Sequence, residues 1–74
     1  MDNFKILKNI LSYHLDVSKI SINDKLADIG VDSLDLVEAL IEVEKAFNIR
    51  FKSSEISNIV YVKDVLDLID QKKK

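Results

Sequence analysis

Cysteine is absent from the 74 residues, so the chain can form no disulfide framework and no thiolate metal site, and it owns no sulfur nucleophile. Any thiol chemistry in which it takes part has to be imported. Proline is also missing, and glycine occurs once, at Gly30, which removes most turn punctuation and leaves hydrophobic period as the guide to secondary structure. No run is long and apolar enough for a signal-peptide core or a membrane span, and Lys5 and Lys8 interrupt the N-terminal amphipathic stretch. The cytoplasm is the expected address, and membrane insertion is not expected. A chain of this length encloses one core, burying roughly 60% of its unfolded surface, so residues 1–74 are expected to form a single, monomeric domain that folds unaided. With 47% hydrophobic and 32% charged residues, the composition suits a soluble globule and is too apolar for a disordered chain.

The net charge of −2 conceals an uneven distribution. From Asp32 to Glu44 there are five acids (Asp32, Asp35, Glu38, Glu42 and Glu44) and no base, so this stretch carries −5 and the remainder +3. A nucleic-acid reader needs the opposite sign on its reading element, because Lys and Arg neutralising phosphates supply most of the affinity. Nucleic acid is excluded as a partner on that ground.

Four helices follow from the hydrophobic pattern. Phe4, Leu7 and Leu11, with Ile6 and Ile10 beside them, predict a first helix from about 3 to 15, capped by Asp2 or Asn3. Asp16 to Asp32 has no sustained helical stripe and reads as a long ordered loop, pinned to the core by Val17, Ile20, Ile22, Leu26 and Ile29. Leu36, Leu40, Val43 and Phe47, with Val37 and Ile41 widening the stripe, predict a second helix starting at Ser33 with Asp32 as N-cap and Asn48 as a left-handed C-cap. Ser53 or Ser54 caps a brief third helix through Ile59. Val62, Val65, Leu66 and Ile69 mark the last, from about 62 to 71, ahead of a lysine tail at 72–74 expected to fray. The β-branched and aromatic run Ile59 to Val62 could favour a strand locally, but with no evident partner it reads as a turn. The fold class is all-α: a bundle of three main helices and a short third one, with a long loop between the first two.

Ser33 is the residue of interest. It lies in the first turn of the second helix, where unpaired backbone N–H groups and the positive dipole end favour a phosphate esterified to its hydroxyl, while Asp32 and Asp35 oppose it by like charge. Serine is common there for capping reasons alone. Self-contained catalysis is not expected, because activation of a serine needs an oriented base, and the one histidine, His14, falls on the first helix and reads as an ordinary surface residue. So short a chain also leaves little wall for a water-excluding pocket.

The sequence from Leu26 to Asp35, LADIGVDSLD, followed by Val37, Glu38 and the run to Phe47, resembles the acyl carrier protein family, with no gap needed from Leu26 to Ile69. The resemblance implies a four-helix bundle and a non-catalytic carrier in which Ser33 accepts 4′-phosphopantetheine, transferred from coenzyme A by a magnesium-dependent phosphopantetheinyl transferase. The thiol of that arm would carry acyl groups as thioesters, which fits the missing cysteine. It further implies partners (the transferase, acyl-activating enzymes, acyltransferases and synthases) that dock basic patches on the acidic face of Asp32, Asp35, Glu38 and Glu42. Fatty acid or a related specialised lipid or polyketide biosynthesis is the expected setting. Val31, Lys45, Arg50 and Lys52 depart from the family's commonest pattern, where alanine, acids or proline are usual. Branched Ile56 and Val65 in the candidate core point to limited room for a long acyl chain. Two further classes remain open on the residues: an aminoacyl or peptidyl carrier of a nonribosomal-type pathway, and a helical interaction domain that bears no arm. A cation module built on Asp24, Asp28, Asp32 and Asp35 lacks the alternating ligands and central glycine of an EF-hand loop, and no metal ligand is assigned.

Overall fold

The computed structural model describes residues 2–73. Four helices follow one another: α1 (Asn3–Leu11), α2 (Ser33–Phe47), α3 (Ser53–Ser57) and α4 (Val62–Lys73), with α1 packed on both α2 and α4. Helices α1, α2 and α4 are each held by an apolar face of the expected period. Leu7, Ile10 and Leu11 of α1, Ala39, Leu40 and Val43 of α2, and Val62, Val65 and Ile69 of α4 are buried in one core.

Helix α1 begins where the sequence places it, since the Asp2 carboxylate accepts a bond from Phe4 N–H at 3.0 Å. It ends at Leu11 instead of 15. From Ser12 on the helical ladder gives way to turns: the Ser12 hydroxyl donates to the Asn9 carbonyl, Tyr13 N–H to Ile10 O at 3.3 Å and His14 N–H to Leu11 O at 2.9 Å, while Leu15 still packs against the core.

The long loop is ordered by backbone pairing as much as by apolar contacts. Leu26 N–H donates to Val60 O at 3.0 Å, Val62 N–H to Asp24 O at 3.0 Å and Lys63 N–H to Ile22 O at 2.9 Å. The β-branched run entering α4 therefore does find a partner, in a single antiparallel bridge between Lys25 and Tyr61. Leu26 and Val31 are buried, and Val17, Ile20 and Ile29 pack against the core, whereas Ile22 is exposed and takes part through its backbone alone. Gly30 supplies the left-handed turn before Val31, with φ +93°.

Asn48 closes α2 in the left-handed conformation, at φ 57°, and the Glu44 carboxylate accepts from Phe51 N–H at 2.8 Å in the connection to α3. The third helix stops at Ser57, two residues short of the expected end. Lys52 precedes it, and since a lysine side chain offers no acceptor, the closing bond comes from Glu55, whose carboxylate takes Lys52 N–H at 2.7 Å. The same carboxylate meets Lys72 Nζ at 2.8 Å. That pair, together with Lys73 Nζ lying 5.2 Å from the centre of the Phe47 ring, carries α4 past 71 to Lys73, where fraying was expected; Lys74 lies outside the described residues.

Helix α4 is started by Asp64, whose carboxylate accepts from Tyr61 N–H at 2.8 Å and from Val60 N–H at 2.9 Å. These two bonds, Tyr61 first, hold its carboxyl below the usual carboxylate range. A carboxyl lowered in the fold contributes stability that is present above its unfolded titration and lost as pH falls through the folded one. In Asp64→Asn an amide oxygen can still accept both bonds without titrating. We expect urea titrations between pH about 5 and about 2.5 to show the wild type losing more stability than the variant, so that the two curves converge toward the acid end.

Candidate functional site

The start of α2 is built by three residues with separate tasks. Val31, buried, fastens the end of the loop. Asp32, in extended conformation, spends its carboxylate on Asp35 N–H at 2.9 Å while its carbonyl accepts Leu36 N–H at 2.9 Å. Because the cap is Asp32, Ser33 is left as an exposed first helical residue whose hydroxyl is not needed to close the turn. The hydroxyl borders an open, mainly apolar groove of about 240 Å³, whose wall includes Leu26, Val31, Leu36, Ile59 and Val60. A tethered group on Ser33 thus has water on one side and a shallow apolar seat on the other.

The Asp32 cap is the local determinant of this arrangement. Asp32→Ala should lower stability by about 1 kcal/mol, within the 0.5–2 kcal/mol typical of lost N-caps, and a urea midpoint shifted at unchanged slope would register it.

The acids expected on one recognition face are not equivalent. Asp32 and Glu38 are exposed. Asp35 and Glu42 face His14, with Nδ1 3.4 Å from Asp35 Oδ1 and Nε2 3.4 Å from Glu42 Oε2. His14, read from sequence as an ordinary surface residue of the first helix, has a side chain only 11% exposed. Glu44 turns to the α3 connection and is absorbed by Phe51 N–H. Of the four acids weighed as a cation module, Asp24 accepts from Ser21 N–H at 2.8 Å, Asp32 from Asp35 N–H, and Asp35 faces His14.

Val37 and Ile41 are a second correction. Expected to widen the buried stripe, they are 47% and 46% exposed and line up with Leu34, 67% exposed, while Ala39 takes the inner position at 2%. Residues 34, 37 and 41 stand three and four apart, so one exposed apolar row runs along α2 beside Glu38. The spacing was visible in the sequence. Burial was not, because a helix with two apolar rows does not announce which one meets the core.

No helix among the described residues is long and apolar enough to cross a membrane. The profile of the phosphopantetheine attachment site family matches residues 5–69. The chain is 42% identical over 60 residues to an acyl carrier protein homolog of Mycoplasmopsis pulmonis, covering 81% of this chain and 82% of that one. It is 39% identical over 70 residues to an acyl carrier protein of Coprothermobacter proteolyticus, covering 90% and 85%. The crystal structure of an acyl carrier protein from Thermotoga maritima superposes with a TM-score of 0.85 at 27% identity, covering 92% of this chain and 82% of its own. The match spans nearly the whole bundle, including the loop, the start of α2 and the short α3, and the family works as a covalent carrier of 4′-phosphopantetheine instead of as a catalyst. The chain belongs to the acyl carrier protein family.

Proposed function

We propose that Ser33 is the residue to which 4′-phosphopantetheine is attached, and that the chain, acting as a single domain in the cytoplasm, presents acyl groups on this arm to successive enzymes of fatty acid or related lipid biosynthesis. One observation carries the assignment: at the start of α2 the capping duty belongs to Asp32, and the Ser33 hydroxyl stands exposed. The fit to the group is physical. A phosphodiester bears one negative charge, and the free N–H groups and dipole of the first turn of α2 favour an anion there, offsetting repulsion from Asp32 and Asp35. The arm supplies the thiol that a cysteine-free chain lacks, and so the site of thioester attachment.

The chain's own contribution is presentation. The Ser33 oxygen has to reach the pyrophosphate of coenzyme A inside a phosphopantetheinyl transferase, form the new P–O bond and give up its proton while the nucleotide leaves. A hydroxyl in water at the end of a rigid helix can enter another protein's site without unfolding anything. Docking is the task of the α2 face: Leu34, Val37 and Ile41 offer apolar contact, and Asp32 and Glu38, joined by Asp35 and Glu42 behind them, steer basic surfaces toward it. The groove beside Ser33, lined by Val31, Leu36 and Ile59 among others, holds only about 240 Å³, which suits a short segment of arm or cargo better than a long chain. Incubation with a phosphopantetheinyl transferase, magnesium and coenzyme A, followed by intact-protein mass measurement, should yield one added arm per chain. An unchanged mass under conditions that load another member of the family would sink the assignment.

A further inference from the structure

His14 occupies a position with consequences for docking. The titratable groups that face its ring belong to α2: Asp35 and Glu42 lie 3.4 Å from the two ring nitrogens, and Glu38 joins His14 and Asp35 in a cluster whose side-chain N and O atoms fall within 4.8 Å of one another. A neutral imidazole has a single N–H, whereas the imidazolium has two. Donation to both carboxylates at once therefore belongs to the imidazolium. When the second proton leaves, one nitrogen turns a lone pair toward a carboxylate, and the bridge fails on that side.

We propose that His14 is a proton-operated staple on the docking face: as imidazolium it pairs with Asp35 and Glu42 and withholds both from basic partners, and on releasing its proton to solvent it returns them. The proposal rests on the reading of α2 as the docking face. Two effects follow. The staple ties the turn after α1 to the middle of α2 only while the ring carries its charge, so the tie is present at low pH and released as pH rises. The face also becomes one charge more negative as the proton leaves, which raises the encounter rate with a basic surface.

The test compares wild type with His14→Gln, which keeps a polar side chain but cannot carry the charge, at pH about 5.5 and about 8.5, on either side of the usual histidine range. In the protein alone, the side-chain carboxyl carbon shifts of Asp35 and Glu42 should follow the imidazole titration in the wild type and lose that step in the variant, and the wild type should melt higher than the variant at the lower pH only. With a phosphopantetheinyl transferase, magnesium and coenzyme A, the variant should load faster than wild type by on the order of threefold at the lower pH, the ratio falling to about one at the higher. Taking the ratio at each pH cancels the transferase's own profile. Carboxyl shifts indifferent to the imidazole overturn the staple. A loading ratio that does not change with pH overturns its role in docking. Failure of both proteins to load at either pH defeats the carrier reading itself, and the shift measurements on the isolated chain keep that failure distinct from failure of the staple.

Discussion

Ser33→Ala is expected to abolish attachment of the arm completely while leaving the unfolding free energy within about 0.5 kcal/mol of wild type. The two halves of this result have different causes. Attachment needs an oxygen nucleophile at this position, and alanine has none, so loading falls to the detection limit of intact-mass measurement. Stability is spared because the N–H of Asp35 is satisfied by Asp32 and the Ser33 side chain is exposed, so no buried group loses a partner. Ser53→Ala is the matched control. Ser53 is also an exposed serine at the first position of a helix, but α3 has five residues and lacks the acidic and apolar row that runs along α2. Loading lost in the first variant and intact in the second separates a specific acceptor from serines that merely begin helices. A Ser33→Ala protein that still gained the arm would move the assignment to another hydroxyl.

The features legible in the sequence are those decided within a few residues. The Asp32 cap, the left-handed Asn48 and the turn at Gly30 each follow from local backbone chemistry, and each stands where the pattern of side chains puts it. What the pattern left undecided depends on residues far apart in the chain. Val37 and Ile41 are as apolar as Leu40 and Val43, and they face water only because α1 packs on the other side of α2, where Ala39, Leu40 and Val43 join the core. The run at 59–62 pairs with loop residues some 35 positions earlier, a contact that no local window contains. His14 illustrates the same limit, since its partner Glu42 is 28 residues away. An imidazole placed against two carboxylates of another helix has no signature in spacing, so the sequence shows a serine with acids around it, and the internal pairing of those acids is a property of the packing.

Ile69→Ala is expected to have the largest effect on stability of any substitution considered, a loss of about 2–5 kcal/mol. Ile69 is fully buried in α4 and belongs to the core that also holds Leu11 of α1 and Val43 of α2. Truncation removes three carbons' worth of burial and leaves a void that neighbouring helices can fill only by shifting. A domain of this size has on the order of 4–11 kcal/mol to lose, so the variant falls near the point where a measurable fraction is unfolded at 25 °C. Ile69→Val, which deletes one methylene, should cost about 0.5–1.5 kcal/mol and remain folded. The comparison bears on function, because nothing at residue 69 touches the Ser33 groove. If carrying requires only that the bundle hold α2 and its exposed hydroxyl in place, loading of the alanine variant should fall in proportion to the fraction folded and recover when the temperature is lowered or the fold is otherwise stabilised. Loading that stayed at the wild-type rate in a population shown by circular dichroism to be largely unfolded would mean that the transferase reads the local sequence around Ser33 without the bundle, and the account of presentation by a rigid helix end would have to be abandoned.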